Sequence, residues 1–370
     1  MSLVLPMIVL HWGLCVLAVF LLVVTILPWF RNPAWWVRIW DFPRLQLALL
    51  SVLGSAITAG SALTGHWAWW LQLVFLLTLV YQAWWILPYT PLHRREVMTA
   101  SAGTSEPRLR VMACNVLTPN RNAQGLIDLV RQHRPDVLVT LETDAWWQQQ
   151  LQPLEPAYPY RIACPLDNLY GMHVYSRLPL SDTAISYLVE PDVPSIHASV
   201  HVNASLVVRM HFLHPAPPSP TENEASTERD VELLLVAQSL QAEKGPVIVT
   251  GDLNDVAWSP TTRMFRKISR LLDPRVGRGM FNSFHAHYFF ARWPLDHFFH
   301  SDHFQVVTVA RLPSIGSDHF PVLLELQYHP ANADLQEGLE VHADDHAEVQ
   351  QKLAEEGAHE QDVPRPESKG

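Results

Sequence analysis

The 370-residue sequence predicts an α/β domain that follows a membrane region and precedes an acidic tail. Residues 1 to 90 contain ten of the fourteen tryptophans and only four charged side chains, a composition typical of membrane segments. From residue 108 onward, short β-branched runs alternate with segments of helical periodicity, which indicates an α/β domain over residues 108 to 328. Residues 329 to 370 contain eleven acidic and three basic side chains and few large apolar ones, so we expect a disordered tail.

Three apolar stretches in the first region are long enough to cross a bilayer. They cover residues 4 to 28, 45 to 64 and 67 to 88, and each reaches the roughly 20 residues that a membrane-spanning helix needs. Tryptophans cluster at the ends of these stretches, as in the aromatic belts at membrane interfaces. The sequence therefore predicts three transmembrane helices within residues 1 to 95 and a linker over residues 96 to 107.

The distribution of arginines predicts the orientation of these helices. The loop between the first two stretches carries Arg31, Arg38 and Arg44, and Arg94 and Arg95 follow the third stretch. Under the positive-inside rule, this loop and the α/β domain lie on the cytoplasmic side of an inner or plasma membrane, with the N-terminus outside. A cleaved signal peptide fits poorly, because no basic residue precedes the first stretch and two more stretches follow it.

Strands and helices of the α/β domain are predicted from apolar runs, caps and turn residues. A helix is predicted from a cap at Asn122 to His133, and an amphipathic helix over residues 228 to 243. The predicted strands lie in the segments RLRVMACNV, DVLVTLE, GMHVYS, LVVRMHFL, VIVT, LDHFFH and FPVLLEL. In VIVTGDLND, Gly251 is expected to allow a sharp turn after the strand.

Polar side chains lie where these strands end or begin. Six sites share this property: Asn115, Glu142, His214, the pair Asp252 and Asn254, the pair Asp296 and His297, and the pair Asp318 and His319. One such residue has an ordinary explanation, since Gly, Asp and Asn are common in turns and a lone histidine is usually a satisfied polar group. The repetition along the chain instead indicates one pocket assembled at the strand ends.

The same motifs carry a family resemblance. In order and spacing, NVL, TLE, YGMHVYSRLPL, HFLHP, GDLND, PLDHFF and GSDHFP resemble the endonuclease/exonuclease/phosphatase superfamily over about residues 108 to 328. The resemblance implies a four-layer α/β sandwich, with two mixed β-sheets face to face and helices outside. It also implies hydrolysis of phosphoester bonds with a divalent metal ion.

The resemblance implies a magnesium site. Glu142 corresponds to the principal ligand of Mg²⁺, with Asn115 and Asp318 close to the ion. Mg²⁺ prefers oxygen ligands, and the sequence has no cysteine or dense histidine cluster that would favour Zn²⁺. We expect Mg²⁺ as the cofactor, with Mn²⁺ as the alternative.

The resemblance also implies roles for the catalytic residues. Asp252 would orient or deprotonate the attacking water, and Asn254 would bind that water or the scissile phosphate. His319 would act on the phosphoryl group with its ring held by Asp296, and His214 would contact the phosphate. An adjacent carboxylate raises the pKa of a histidine and so favours the charged ring.

Two features depart from the family pattern. Pro294 stands where members often carry an arginine, two residues before the aspartate of PLDHFF. No clear equivalent exists for a second family glutamate that supports the histidine, and Glu190 is a weak candidate.

Three functions remain open from the sequence. A membrane-tethered phosphodiesterase or phosphomonoesterase is favoured, acting on a lipid-linked phosphoester at the bilayer. A nuclease is the second hypothesis, although without the tail the acidic and basic residues nearly balance, so the strong basic excess of proteins that grip long nucleic acids is absent. The third is a catalytically silent binding or scaffold module with the same fold. No protein partner is evident from the sequence.

Overall fold

The computed structural model describes residues 4–60, 68–101, 103 and 105–366. Four helices form the N-terminal region: α1 (Val4–Ile26), α2 (Trp35–Arg38), α3 (Arg44–Gly60) and α4 (Ala68–Ile86). Helices α1, α3 and α4 pack around a common apolar cluster that includes Leu21, Leu47 and Phe75. The connection between the second and third predicted spans lies outside the described residues.

Two of these helices are long and apolar enough to cross a membrane. They cover Leu5–Phe30 and Trp69–Tyr89, with mean hydropathies of 2.7 and 1.6. The predicted middle span is less clear, because α3 reaches the required length only together with Trp35–Asp41, from which it is bent by 68°. The described residues thus contain two candidate spans, or three if the bent pair counts as one.

Eleven strands in the described part of the chain form two mixed sheets. The six-stranded sheet has the order β10-β11-β1-β2-β4-β3, and the five-stranded sheet has the order β5-β6-β7-β8-β9. The strands of the first sheet are β1 (Arg108–Asn115), β2 (Val137–Leu141), β3 (Tyr160–Cys164), β4 (Met172–Ser176), β10 (Phe304–Arg311) and β11 (Val322–Tyr328). The strands of the second are β5 (Leu180–Ser186), β6 (Ser195–His201), β7 (Val207–Leu213), β8 (Val247–Asp252) and β9 (Asp296–His300).

Each sheet has one parallel pair at its centre. Strands β1 and β2 are parallel in the first sheet, with Asn115 opposite Leu141, and β7 and β8 are parallel in the second, with Leu213 opposite Gly251. All other neighbouring strands are antiparallel. The two sheets enclose one buried cluster, to which Val139 of the first sheet and Phe212 of the second belong.

Helices cover the outer faces of both sheets, which completes the four layers expected from the resemblance. Helices α5 (Ala123–His133) and α6 (Ala145–Gln150) pack on the first sheet. Helices α7 (Thr227–Ser239), α8 (Pro260–Ser269) and α9 (Ala343–Glu355) pack on the second. Short 3-10 helices cover Leu27–Phe30, Ile39–Asp41, Leu87–Tyr89, Gln152–Leu154, Leu240–Ala242, Pro330–Leu335 and Glu360–Asp362.

In the acidic segment, for which the composition predicts disorder, Ala343–Glu355 form helix α9. Helix α9 inserts Val349 and Leu353 into the apolar cluster between α7, α8 and the second sheet, and both are nearly fully buried. Its acidic side is paired as well, since Asp345 lies 2.9 Å from the ammonium group of Lys267. Two apolar side chains at helical spacing therefore fix a segment whose overall charge suggested disorder.

Gly251 does not form the expected sharp turn. It stays within β8 with a φ of 148°, a conformation that favours glycine. A Cβ atom at this position would lie 1.9 Å from the carbonyl oxygen of Leu213 on the neighbouring strand. The glycine thus permits the close approach of β7 and β8, and the strand continues to Asp252.

Candidate active site

The predicted polar side chains meet at one end of the two sheets. Asn115 ends β1, Glu142 follows β2 directly, and Asp252 ends β8. Asp296 begins β9 opposite Asp252, because these two strands are antiparallel. His319 lies in the turn before β11. The two packed sheets therefore bring together residues that are far apart in the sequence.

Asn115 links the two sheets through its side-chain amide. Its Nδ2 donates to Glu142 Oε1 at 2.7 Å and to Asp252 Oδ2 at 3.1 Å. Its Oδ1 accepts from the backbone N–H of Leu117 at 3.0 Å, which fixes the orientation of the amide. One buried asparagine thus holds two carboxylates of the site close together.

His319 lies between two buried carboxylates. Its Nδ1 is 2.7 Å from Asp296 Oδ2, and its Nε2 is 3.3 Å from Asp252 Oδ2. The predicted contact between His319 and Asp296 is therefore present. Ser317 orients the turn by accepting from the His319 backbone N–H at 3.0 Å and donating to the Asn115 carbonyl at 2.8 Å.

The electrostatics of the site follow from this arrangement. Burial alone would lower the pKa of His319, but the carboxylates of Asp252 and Asp296 outweigh it and raise that pKa to about 10. For Asp252, burial raises the pKa, yet the charge of His319 and the hydrogen bonds from Asn254 and Asn115 bring it below its usual value. Burial raises the pKa of Glu142 to about 7, against the hydrogen bond from Asn115. At neutral pH the site therefore contains an imidazolium beside a carboxylate.

Two site residues have an uncommon backbone conformation. Glu142 has a φ of 60° and Asn254 a φ of 51°, both in the left-handed region that non-glycine residues seldom occupy. Thr118 stabilises the first of these by donating its hydroxyl to the Glu142 carbonyl at 2.8 Å. Backbone strain of this kind concentrates at functional sites.

The remaining predicted residues border this centre. His214 is buried with its Nε2 3.9 Å from Asp252 Oδ2, and burial lowers its pKa to about 4, so the ring is neutral at physiological pH. Asn254 donates its backbone N–H to Asp252 and its side-chain amide to the Pro215 carbonyl, each at 3.0 Å. The Pro215 bond uses one of the two N–H donors of this amide, and the contact with phosphate or water stays a prediction. Asp318 lines the cavity above Glu142 and His319.

The donor set suits a divalent cation with a preference for oxygen ligands. Glu142 is a half-buried carboxylate that no basic side chain contacts within hydrogen-bonding distance among the described residues, and burial, with the nearby carboxylates of Asp318 and Asp252, raises its pKa. The predicted ligands Asn115 and Asp318 lie beside it. The ligand atoms of a second group, Asp252, Asp296 and His319, all lie within 4.8 Å of one another. In that group both ring nitrogens of His319 already pair with carboxylates, so Glu142 is the better position for a metal.

A cavity of about 690 Å³ opens above these residues. Its polar lining consists of Glu142, Tyr170, His214, Ser219, Glu222, Asp252, Asn254, Asp318 and His319. Its apolar lining consists of Ile39, Trp40, Phe42, Pro43, Leu117, Leu169, Pro217, Pro218, Phe284, Trp293 and Leu295. The cavity is large enough for a ligand of drug-like size, and the N-terminal region supplies part of its wall.

The sequence analysis missed several residues of this site. Tyr170 contacts the ring of His214 and donates its hydroxyl to Glu222, and both residues line the cavity. Tyr170 is part of the motif YGMHVYSRLPL, whereas nothing in the sequence marks Glu222. Glu190, the weak candidate for a second supporting glutamate, accepts from Asn223 at 3.3 Å and is not among the residues that line the cavity. Pro294 also lies outside that lining.

The comparison with solved structures found similar chains. The structure of D. rerio TDP2 complexed with a single-strand DNA product is 15% identical, with a TM-score of 0.50 over 60% of this chain and 99% of that one. An endonuclease/exonuclease/phosphatase protein from Beutenbergia cavernae is 19% identical, with a TM-score of 0.49 over 60% of this chain and 72% of that one. The human Nocturnin catalytic domain with bound sulfate is 17% identical, with a TM-score of 0.49 over 60% of this chain and 95% of that one. The comparison with curated proteins found no match.

The model of one protein family matches residues 112–319, more than half of the chain. This range begins in β1 and ends at His319, so it contains every residue of the polar centre. The chain belongs to the endonuclease/exonuclease/phosphatase family.

Proposed function

We propose that the protein is a membrane-tethered, Mg²⁺-dependent phosphoesterase that hydrolyses a phosphodiester or phosphomonoester by attack of water. The observation that supports this most strongly is the continuous chain of contacts from Glu142 through Asn115 and Asp252 to His319 and Asp296, at the floor of a cavity. Members of the family are metal-dependent phosphoester hydrolases.

Glu142 would hold the metal ion, with Asn115 and Asp318 beside it. A bound Mg²⁺ would supply a Lewis acid that offsets the negative charge of the phosphoryl oxygens. Asn115 already positions Glu142 by a hydrogen bond of 2.7 Å, so this ligand is oriented before the ion arrives. Mn²⁺ satisfies the same ligand preferences and is the alternative cofactor.

Asp252 would accept the proton of the attacking water. It is ionised, buried and held by hydrogen bonds from Asn115 and the Asn254 backbone, so its free lone pairs have a fixed direction. His319, charged and held by Asp296, would stabilise the phosphoryl oxygens, and His214 would contact the phosphate. The water oxygen bonds to phosphorus, the bond from phosphorus to the leaving oxygen breaks, and the leaving oxygen takes up a proton.

The N-terminal region would tether this site to an inner or plasma membrane, with the α/β domain in the cytoplasm. The two long apolar helices support the tether, and the arginines near their ends support the orientation. A tethered site meets phosphoesters at the bilayer surface more readily than free nucleic acid.

A silent scaffold with this fold is the less supported alternative. The site keeps the buried carboxylates of Asp252 and Asp296 close together, and buried like charges cost stability that a scaffold would have no reason to retain.

The direct test is a panel of phosphoesters offered to the full-length protein in detergent. We expect hydrolysis of bis-p-nitrophenyl phosphate or p-nitrophenyl phosphate that is lost on adding EDTA and restored by excess Mg²⁺. Hydrolysis of single-stranded or plasmid DNA alone would favour the nuclease hypothesis. Absence of hydrolysis of every phosphoester, with Mg²⁺ or Mn²⁺, would contradict the proposal.

A further inference from the structure

The active-site cavity has two chemically different parts. Glu142, Asp252 and His319 form its polar floor. One of its walls is apolar and comes from the loop between α1 and α3, which contributes Ile39 and Phe42 among other residues. A phosphate group alone needs only the floor, so the apolar wall requires another explanation.

This wall lies at the end of the membrane helices. It belongs to the loop of residues 31 to 43, between the end of one candidate span and the first residue of α3. Such a loop must lie near the level where the bilayer ends, because the helix on one side of it is long enough to cross the hydrocarbon core. The wall of the catalytic cavity is therefore close to the membrane surface.

The wall is firmly attached to the α/β domain. Buried Asp41 pairs with Arg38 at 3.2 Å and with Arg44 at 2.6 Å, which fixes the loop internally. The Asp41 carbonyl accepts from the indole N–H of Trp258 at 2.7 Å, and the hydroxyl of Tyr89 donates to the Ala257 carbonyl at 2.6 Å. These contacts tie the ends of the membrane helices to the segment that follows β8.

A second loop brings the same cavity to the membrane surface. Phe284 and Trp293 pair across this loop and line the cavity, while its tip projects outward. At the tip, the side chain of Phe289 is 81% exposed and that of Phe290 is 64% exposed. Gln46, in the first turn of α3, donates to the Phe290 carbonyl at 2.8 Å. The exposed aromatic tip thus lies beside the start of α3, and exposed aromatic residues are common where a chain meets the membrane surface.

We infer that the substrate is a lipid-type phosphoester, whose phosphate lies on the polar floor and whose alkyl chain lies against the wall formed by the loop of residues 31 to 43. This inference rests on the proposed phosphoesterase function and specifies its substrate class. The phosphate of such a molecule enters the cavity while its chain stays in apolar surroundings. The bilayer and the cavity wall then offer the chain a continuous apolar path.

The test uses alkyl p-nitrophenyl phosphates with butyl, octyl and dodecyl chains, so that only the chain changes. Full-length protein in one detergent, with Mg²⁺, is assayed for release of p-nitrophenolate. Burial of one methylene can contribute up to about fourfold in binding. We expect kcat/KM to rise at least about tenfold from the butyl to the dodecyl ester, since even partial burial of eight further methylenes exceeds that ratio.

Two variants separate binding in the cavity from partition into detergent micelles. Ile39 lines the cavity and is 49% exposed, whereas Trp36, in the same loop, is 51% exposed and is not among the residues that line it. Ile39→Gln should reduce the ratio of dodecyl to butyl kcat/KM to about threefold or less, because a polar amide replaces apolar wall. Trp36→Gln should keep the ratio of the unchanged protein. Partition into micelles would affect both variants alike.

The outcomes are distinguishable. Equal kcat/KM for all chain lengths, with hydrolysis that still needs Mg²⁺, would overturn this inference and leave the phosphoesterase proposal intact. An equal loss of chain-length dependence in both variants would also overturn it.

A second readout does not require turnover. A dodecyl phosphate with a terminal diazirine should label residues 39 to 43 more strongly than the corresponding dodecanol does. Equal labelling by the two probes at those residues would overturn the inference even if no ester in the series were hydrolysed.

Discussion

At the scale of single residues, His319 has the most constrained environment in the site. Its two ring nitrogens lie 2.7 Å from Asp296 and 3.3 Å from Asp252, and these carboxylates outweigh burial to raise its pKa to about 10. The ring is therefore charged across the physiological range. Its charge depends on Asp252 at the end of β8 and Asp296 at the start of β9, so the effect of each carboxylate on the His319 pKa can be tested separately.

The first prediction concerns Asp296→Asn. An imidazolium that stabilises the phosphoryl group is lost as pH rises through its pKa, so the unchanged enzyme should keep its activity up to about pH 10. Removing one carboxylate should lower that pKa by about 1–3 units, and the variant should lose activity at correspondingly lower pH. The measurement is kcat/KM from pH 6 to 10.5, with Asp302→Asn at an exposed position as the control. If kcat/KM fell at the same alkaline pH in the unchanged protein and in both variants, this role for His319 would be excluded.

The second prediction concerns metal binding at Glu142. Because burial raises its pKa to about 7, a proton occupies this carboxylate in the metal-free protein below that pH and competes with Mg²⁺. The apparent Kd for Mg²⁺ should therefore rise as pH falls through 7, by up to about tenfold per pH unit. Glu142→Gln should weaken binding at every pH and flatten this dependence, whereas Glu106→Gln, on the exposed linker, should change neither. Titrations of activity with Mg²⁺ from pH 5.5 to 8.5 give the apparent Kd at each pH. If Glu142→Gln and the unchanged protein gave identical titrations, Glu142 would be ruled out as a ligand.

At the scale of elements, the sequence predicted strands β1, β2, β4, β7, β8, β9 and β11 and missed β3, β5, β6 and β10. Strands β1, β2, β7 and β8 are rich in apolar residues and mostly buried, and the polar residue at or just after each end was recognised. Strands β3, β5 and β10 lie at sheet edges, where partial exposure allows mixed polar sequences without clear periodicity. The cavity wall could not be predicted, because it arises from tertiary contact between the membrane region and the α/β domain.

Helix α9 provides the third prediction. Leu353 is buried in the apolar cluster with α7 and α8, so Leu353→Ala should lower the free energy of unfolding by about 2–5 kcal/mol. Leu335, in the same acidic segment, is 63% exposed, and Leu335→Ala should have little effect. The melting temperatures of both variants and of the unchanged protein are measured by thermal unfolding in detergent. Equal melting temperatures would mean that α9 does not pack on the domain and that the segment is disordered, as its composition suggested.

At the scale of the whole molecule, the N-terminal helices and the α/β domain are joined by more than the linker. The loop between α1 and α3 forms an isolated bridge with the catalytic domain from Ala34 to Ala225, and Arg31 pairs with Glu348 of α9 at 2.8 Å. The cavity takes part of its wall from this loop as well. Removing the N-terminal region should therefore alter the site itself and not only its location.

The fourth prediction concerns topology. If the arginines near the helix ends set the orientation, a green fluorescent protein fused after Arg95 should fluoresce, and alkaline phosphatase fused at the same place should be inactive. A fusion at Gly65 should give the opposite result. Active alkaline phosphatase after Arg95 would place the catalytic domain outside and move its substrates to extracytoplasmic phosphoesters.

The central claim is that Asp252 activates water for metal-dependent phosphoester hydrolysis. Asp252→Asn keeps the size of a buried side chain that accepts from Asn115 and the Asn254 backbone, but removes the charge that accepts a proton. The most direct measurement is kcat for bis-p-nitrophenyl phosphate with saturating Mg²⁺, in the unchanged protein and in variants shown by thermal unfolding to be folded. We expect kcat to fall by about 10²–10⁴ in Asp252→Asn and to stay unchanged in Asp302→Asn. A kcat in Asp252→Asn within about threefold of the unchanged protein would contradict the assignment of the active site.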